Sequence, residues 1–317
     1  MSNKEVIGVL VMSYGTPENM EMVEPFFTHI RRGNPPSPEQ LQELCDRYEA
    51  IGGLFPLKEN TDNQLRELEK YLNEHFADEQ RTFRCFHGMK HVVPFVEDGV
   101  EAIVAAGITK AVGIVLAPHY STMSVAGYVR RAMETAAKHS LQLTCIDSYH
   151  LHPKLIEALV IRWQEAFAQF SDSEKPTVRT IFSAHSLPVK ILESNDPYPE
   201  QLLETSRAIV AAAGVKEWQF AWQSAGQTAI PWLGPDIKDV MRTIYEEEGV
   251  RNVIASPIGF VSDHLEVLCD IDIEAQDVAS ELGMKLVRTR SLNTDPLYIE
   301  TLATSVVTRL AQWEQRV

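Results

Sequence analysis

The feature that most constrains the fold is an alternation of short apolar runs with amphipathic stretches, which extends along the whole chain. The runs are typical of buried strands, and apolar residues at i, i+3 and i+4 between them favour helices. Strands separated by helices of this length indicate right-handed βαβ crossovers and parallel sheets. The predicted strands are Val6–Met12, Thr82–Phe86, Ala111–Ala117, Leu141–Ile146, Val178–Ser183, Trp218–Trp222, Asn252–Ile258 and Met284–Val287.

The helix signals are clearest in "SPEQLQELCDRYEAIGG". Ser37 is the expected N-cap, Pro38 occupies the first turn, and Gln40 completes a capping box. Gly52 and Gly53 predict the end of this helix.

The order of elements occurs twice, which is a weak internal repeat. It predicts an α/β fold of two similar Rossmann-like lobes, at 1–150 and 151–317, with parallel four-stranded sheets facing across a cleft. Whether a C-terminal helix at about 295–316 packs back on the first lobe stays open. The segments that resemble each other are "VLVMSYGTP" (9–17) and "TIFSAHSLP" (180–188), 86–112 and 222–253, and "IVLAPHYST" (114–122) and "SPIGFVSDH" (256–264).

Distinctive polar residues follow the predicted strands. Parallel sheets bind ligands beyond the carboxyl ends of their strands, so these residues are expected to line one cleft. They are Tyr14, Lys90, His91, His119, His185 and the segment Asp263 to Glu266.

Charge and composition exclude several classes of protein. The formal net charge of -15 argues against nucleic acid and against an anionic membrane surface. No apolar run reaches the length of a membrane span, and the run Val6–Met12 is too short for a signal peptide, so a cytoplasmic protein is expected. Cys45, Cys85, Cys145 and Cys269 lie far apart and predict neither disulfides nor a zinc or iron–sulfur site.

An acidic stretch, "FVSDHLEVLCDIDIEA", places Glu266, Asp270 and Glu274 four residues apart. On a helix these like charges repel one another by about 0.2–0.5 kcal/mol per pair. A solvated face is one interpretation. The other is a row of ligands for a divalent cation, aligned by a π-type turn. In this second interpretation a cation, and not a neighbouring side chain, neutralises the row.

His185 in "SAHSLP" has two interpretations as well. It could bond a backbone carbonyl, or it could accept a proton or bind a metal as a neutral imidazole. Tyr14 holds the matching position in the first lobe, which favours a site.

Three further sets of residues suit a flat, acidic ligand. Arg31, at a helix end, can complement the helix dipole or hold a carboxylate, and Arg47 beside Tyr48 is a second candidate. Of Trp222 and Trp232, one is expected in the core and the other against a ligand.

The sequence contains no G-x-G-x-x-G, Walker or G-x-S-x-G motif, which argues against dinucleotides, ATP and a serine hydrolase.

In order along the chain, "YGTP", "HIRRG", "DRYEAIGG", "GMKH", "LAPHYS", "SAHSLP", "WQS", "WLGPD" and "GFVSDHLEVL" resemble the signature blocks of the ferrochelatase family. The resemblance is closest to the short Gram-positive form. It implies insertion of ferrous iron into coproporphyrin III, giving coproheme in haem biosynthesis, with protoporphyrin IX as the alternative substrate. A sirohaem or cobalt chelatase, a porphyrin or haem carrier, and a two-lobed sugar-binding or ion-binding protein remain as rivals.

The resemblance also implies roles for residues. His185 and Glu266 are the catalytic pair and bind the incoming metal. Tyr14 is a metal ligand in the product, and Asp270 and Glu274 are outer metal-binding residues. Lys90 and His91 form a polar pair near them. Substrate-binding residues are Tyr14, Arg31, Arg47, Tyr48, Tyr128, Lys90, His91 and Trp232.

The resemblance has one departure, since Phe55 stands where the Gram-positive branch is expected to have Ser. It further implies no organic cofactor and no iron–sulfur cluster. The expected partners are porphyrin, ferrous iron and, transiently, enzymes of the haem pathway. A monomer is expected, because no apolar helix face is left unassigned.

Overall fold

The computed structural model describes residues 4–226 and 228–315. The chain divides into two compact units. One comprises Met1–Tyr149 together with Asn293–Val317, and the other is His150–Leu292.

The first unit is built on a four-stranded sheet with the order β2-β1-β3-β4. All three pairings are parallel, with Val9 opposite Cys85 on one side and Val112 on the other. Apolar residues of β1 and β3 pack against the helices that cover the sheet, and this forms the core of the unit. The strands are β1 Glu5–Ser13, β2 Arg81–Met89, β3 Lys110–Val115 and β4 Gln142–Cys145.

Between residues 4 and 150, the structure describes five helices of the first unit. Helix α2 begins with the predicted capping box between Ser37 and Gln40, and positive φ angles at Gly52 and Gly53 follow its end. The helices are α1 Val23–Ile30, after a short 3₁₀ turn at Met20–Met22, α2 Pro38–Ala50, α3 Pro56–His75, α4 Val96–Ala105 and α5 Val125–Lys138.

The second unit repeats the arrangement, with the strand order β6-β5-β7-β8 and parallel pairing throughout. Its strands are β5 Val178–His185, β6 Trp218–Gln223, β7 Asn252–Ser256 and β8 Lys285–Arg288. Its helices are α6 Pro153–Phe167, α7 Tyr198–Ala213, α8 Ile237–Glu248, α9 Leu265–Cys269, a π-helix at Asp270–Ala275 and α10 Gln276–Leu282, with 3₁₀ turns at Lys175–Thr177 and Val189–Ser194.

The C-terminal helix α11, Pro296–Glu314, belongs to the first unit, where it contacts α3, β3 and β4. Tyr298 on this helix is fully buried, and its hydroxyl lies 3.1 Å from that of Tyr149. Near the end of the helix, Glu314 accepts hydrogen bonds from Arg81 at 2.7 Å and Lys110 at 3.0 Å. The helix predicted from the sequence extends to residue 316, which lies outside the described residues.

The strand pattern and the repeat therefore predict the fold of each unit correctly. All eight predicted strands are present, and the two sheets have the same connectivity. Within the described part of the chain, no helix combines the length and apolarity that crossing a membrane requires.

Candidate active site

The second unit brings the end of β5 close to the loop that follows its neighbour β7. His185 is the last residue of β5, and Gly259 lies in the loop. The Gly259 amide donates to the Ser183 carbonyl at 3.2 Å. A Cβ atom on Gly259 would lie 2.4 Å from Cβ of Ala184, which only glycine avoids. The loop that follows β7 therefore lies beside His185 before helix α9 begins.

One carboxylate lies between two imidazoles at this point. Nε2 of His185 is 3.6 Å from Oε1 of Glu266, and Nε2 of His264 is 3.5 Å from Oε2 of the same side chain. The Nδ1 atoms are bonded to backbone carbonyls, that of His264 to Ser262 at 2.9 Å and that of His185 to Ser186. Each Nδ1 must therefore donate, which leaves each Nε2 directed at Glu266.

The pair has strongly altered proton affinities. Burial alone lowers the pKa of His185, but the adjacent Glu266 carboxylate outweighs it and raises this pKa to about 9, with a smaller contribution from Asp270. For Glu266, burial raises the pKa, and His185 and His264 together lower it well below its usual range. The geometry thus provides an imidazolium–carboxylate pair at neutral pH, in a position where one proton can be held or passed on.

Aromatic side chains surround His185. The rings of Trp232 and Phe260 have centroids 6.3 and 6.4 Å from its imidazole. Trp222 is buried, whereas Trp232 is half-buried, so the prediction of one core tryptophan is correct, and contact of Trp232 with a ligand stays a prediction. The Tyr198 hydroxyl donates to the His185 carbonyl at 3.1 Å, which fixes the backbone of the site.

The helix that carries the acidic row has the predicted π-type turn, at Asp270–Ala275. A π-helix brings residues five apart into register, and here ligand atoms of Cys269, Asp270 and Glu274 lie within 4.8 Å of one another. Asp270 is buried and accepts a hydrogen bond from Ser224. A thiol and two carboxylates suit a borderline divalent ion such as Fe²⁺ or Zn²⁺.

The expectation that no neighbouring side chain neutralises the acidic row is wrong. Lys238 of helix α8 forms an ion pair with Glu274. Two other acidic residues of the stretch are paired as well, because Arg288 contacts Asp263 at 3.2 Å and Asp272 at 2.6 Å. These cations come from elements outside the acidic stretch, so the spacing within it gave no sign of them.

In the first unit, Tyr14 follows β1 and is 43% exposed. Its ring lies against His91, with centroids 4.6 Å apart, and against Phe26 at 6.2 Å. The Nδ1 atoms of His91 and His29 are 3.0 Å apart and share a hydrogen bond. Burial, followed by the charges of Lys90 and His29, lowers the pKa of His91 to about 3, so this imidazole is neutral at physiological pH.

Lys90 and Tyr128 form a cation–π pair, with Nζ 5.0 Å from the ring centroid. The Lys90 carbonyl accepts a hydrogen bond from Arg131 at 2.9 Å, which fixes the backbone beside it. Burial, and then the nearby Arg131, lower the pKa of Lys90. Tyr128 itself is buried.

The other predicted substrate contacts lie on α1 and α2. Arg31 follows α1, with its guanidinium 5.6 Å from the centre of the Phe27 ring and Nε bonded to the Asn34 carbonyl at 3.2 Å. Arg47 is half-buried on α2. The next residue, Tyr48, is buried and stacks on Phe55 at 4.5 Å.

Phe55 is the residue before helix α3, and its side chain supplies no capping hydrogen bond. A Ser at this position would offer a hydroxyl to the helix end or to a ligand, whereas Phe55 offers a ring to Tyr48. The departure from the expected Ser therefore has a structural consequence in the packing of Tyr48.

Sequence reasoning missed three residues that contact the site. Ser224 bonds Asp270, Lys238 pairs with Glu274, and Cys269 lies beside the two outer carboxylates. Only Cys269 had a detectable signal, because it is five residues from Glu274 on a helix predicted to contain a π turn. His264 lies in the segment Asp263 to Glu266, which was expected at the cleft, and its contact with Glu266 agrees with that placement.

Solved structures with a similar fold include a metal chelatase. SirB from Bacillus subtilis with Fe³⁺ has a TM-score of 0.62 at 12% identity, and the alignment covers 98% of both chains. The sirohydrochlorin chelatase SirB from B. subtilis subspecies spizizenii in complex with cobalt has a TM-score of 0.57 at 12% identity, covering 97% of this chain and 94% of that one. These similarities show the fold alone.

The family is shown by the sequence itself. The ferrochelatase family model matches residues 6–310, and the chain belongs to the ferrochelatase family. Among its relatives is the coproporphyrin III ferrochelatase of Oceanobacillus iheyensis, 47% identical over 99% of both chains. The enzyme of the same name from B. subtilis (strain 168) is 46% identical, over 98% of this chain and 100% of the other. The protein is thus a metal chelatase whose substrates are ferrous iron and a porphyrin.

Proposed function

We propose that this protein inserts ferrous iron into coproporphyrin III, giving coproheme in haem biosynthesis. The single observation that carries the proposed chemistry is the pair formed by His185 and Glu266, 3.6 Å apart at the end of β5. The choice of porphyrin is supported by relatives at 46–47% identity that are named coproporphyrin III ferrochelatases.

The reaction requires a proton acceptor. Ferrous iron replaces two pyrrole N–H protons, so the products are the iron porphyrin and two protons, and no electron is transferred. His185 is the group we propose to accept a pyrrole proton, which it can do only after losing the proton that it shares with Glu266. Glu266 lies between His185 and His264 and can take that proton away from the macrocycle.

We propose that iron reaches this pair by way of Asp270 and Glu274. Their ligand atoms are close enough to share one ion. Asp270 also acts electrostatically on His185, which links the outer carboxylates to the catalytic imidazole. At this pair the ion is a substrate in transit, and a divalent cation held there permanently is an alternative form of the same proposal.

The porphyrin contacts are proposed from the residues of each unit taken separately. In the second unit, Trp232 offers an aromatic face near His185. In the first, exposed Tyr14 is the proposed metal ligand of the product, held in place by His91. Propionates are proposed to bind Arg31, Arg47, Tyr48 and Tyr128, and the polar pair Lys90 and His91 remains a further proposed substrate contact.

We further propose that the enzyme uses no organic cofactor and no iron–sulfur cluster, because the reaction is not a redox reaction. The wide spacing of the four cysteines in the sequence is the basis of this expectation. A cytoplasmic monomer that meets haem-pathway enzymes transiently remains our working expectation, and size-exclusion chromatography with light scattering tests the monomer.

The test of substrate is anaerobic turnover with Fe²⁺, offering coproporphyrin III and protoporphyrin IX separately. Loss of porphyrin fluorescence should be fast with coproporphyrin III and much slower with protoporphyrin IX. The reverse order would assign the protein to the protoporphyrin branch. A shift of the Soret band on binding, without iron-dependent loss of free porphyrin, would instead indicate a carrier.

A further inference from the structure

Lys238 reaches the outer carboxylates from a different helix. It is the second residue of α8, where its amide donates to the N-cap Asp236 at 2.9 Å. Its Nζ atom donates to Oε2 of Glu274, and both side chains keep some exposure, 29% and 39%. The N-cap fixes the start of the helix, so the ammonium is presented to the π-helix by a rigid element.

The contact places a cation on an atom that a metal ion would need. Glu274 has two oxygens, of which Oε2 bonds Lys238, while Oε1 lies 3.9 Å from the thiol of Cys269. A lysine ammonium has three donors and no acceptor, so it cannot itself be a metal ligand. Lys238 and a divalent cation therefore compete for the same carboxylate.

The charges of the three side chains also indicate that Lys238 opposes metal binding. Asp270 and Glu274 carry two negative charges, and Lys238 reduces the net charge of the three groups to minus one. A dication bound to the carboxylates is repelled by an ammonium a few ångströms away, an effect that remains substantial in a partly buried site. Either the ammonium moves off Glu274 when metal binds, or the ion binds less tightly than two carboxylates would allow.

We propose that Lys238 is a tethered competing cation that weakens metal binding at Asp270 and Glu274. The inference rests on the proposed function, in which these carboxylates pass iron towards His185. A site on the way to a reaction must release its ion, and a lysine that reoccupies Glu274 favours release. Lys238 is thus a determinant of metal affinity for the reaction, and it acts through Glu274 without touching the porphyrin.

The test is anaerobic titration of the protein with Co²⁺ alone, followed by its visible absorption and by calorimetry. Lys238→Met should bind Co²⁺ on the order of tenfold more tightly than the wild type. Lys238→Arg keeps the positive charge and should show no gain in Co²⁺ affinity over the wild type. Arg242→Met is the matched control, because Arg242 lies on the same helix, is 44% exposed and pairs with Asp239.

Asp270→Asn removes one of the proposed ligands. The Co²⁺ binding that this variant loses is therefore the binding at this site. Unchanged or weaker binding in Lys238→Met, with thermal unfolding like that of the wild type, would overturn the role of Lys238. An equal gain in Arg242→Met would overturn it too, because the effect would then be one of net charge.

Co²⁺ binding that is unchanged in Asp270→Asn would show that the ion does not bind at Asp270 and Glu274. That result would overturn the inference. Iron insertion by the wild-type protein, measured separately, judges the proposed reaction independently of all these outcomes.

Discussion

The imidazole of His185 and the carboxylate of Glu266 lie 3.6 Å apart, although 80 residues of sequence separate them. The parallel pairing of β5 and β7 causes this, because the carboxyl ends of neighbouring parallel strands lie at the same edge of a sheet. The bare Cα of Gly259 then lets the intervening loop lie against β5. A base and its proton partner are therefore positioned by backbone geometry.

The pKa of His185 depends on Glu266, and Glu266→Gln should reveal it. With the carboxylate removed, burial and the backbone contact remain, so the pKa should fall from about 9 towards or below its ordinary value of 6.5. NMR titration of the imidazole Cε1–H resonance measures this, with the signal assigned by its loss in His185→Gln. An unchanged pKa in Glu266→Gln would show that the pair is not coupled.

The same coupling makes the stability contributed by the pair depend on pH. Folding raises the pKa of His185, so its contribution is complete below 6.5 and is lost as pH rises through about 9. Folding lowers the pKa of Glu266, so its contribution is present above 4.5 and is lost as pH falls below that value. The difference in unfolding free energy between the wild type and Glu266→Gln should therefore be largest between pH 4.5 and 6.5. Urea denaturation across the pH range measures it, and a difference that grows towards pH 9 would contradict the assignment.

Glu274→Ala tests the iron route. Loss of one of two carboxylates should raise the apparent KM for Fe²⁺ by roughly tenfold, because a charged ligand is lost, while porphyrin affinity stays unchanged. Initial rates at varied Fe²⁺ and a porphyrin fluorescence titration measure the two quantities. Glu281→Ala is the control, as an exposed acid farther along the same helical segment. An unchanged KM for iron would remove Glu274 from the route.

Arg288 is expected to stabilise the segment that carries the acidic row. It holds Asp263 before α9 and Asp272 within the π-helix, and its side chain is only 16% exposed. Arg288→Met should lower the unfolding free energy by about 1–3 kcal/mol, because two partly buried carboxylates lose their partner. Arg290→Met, at a 70% exposed residue paired with Glu165, should cost less than about 1 kcal/mol in the same urea experiment. Equal losses would mean that Arg288 is an ordinary surface residue.

The fold was predictable from the sequence because its signals are local. Alternating apolar runs mark each strand, and the Ser37 capping box and the glycines after α2 mark the limits of a helix. The repeat then implies two sheets of the same connectivity, since sequence order and handedness leave few other arrangements.

The candidate site was predictable only in part. His185 and Glu266 each follow a strand, so the rule for parallel sheets indicates where they lie. The pairing of Glu274 with Lys238, and of Asp272 with Arg288, joins residues 36 and 16 apart through side chains on separate elements. No periodicity within one segment reports such contacts, and this is why the acidic row was expected to lack a neighbouring cation.

The central claim is that His185 accepts a pyrrole proton, and single-turnover iron insertion tests it most directly. Coproporphyrin III is bound first to the wild type, His185→Ala or the control His139→Ala, whose imidazole is 37% exposed. Fe²⁺ is then added anaerobically in a stopped-flow instrument, with a pH indicator to follow proton release. We expect His185→Ala to bind porphyrin but to insert iron about 10²–10⁴-fold more slowly, with proton release slowed to the same extent, while His139→Ala behaves as the wild type. Insertion and proton release at the wild-type rate in His185→Ala would contradict the central claim.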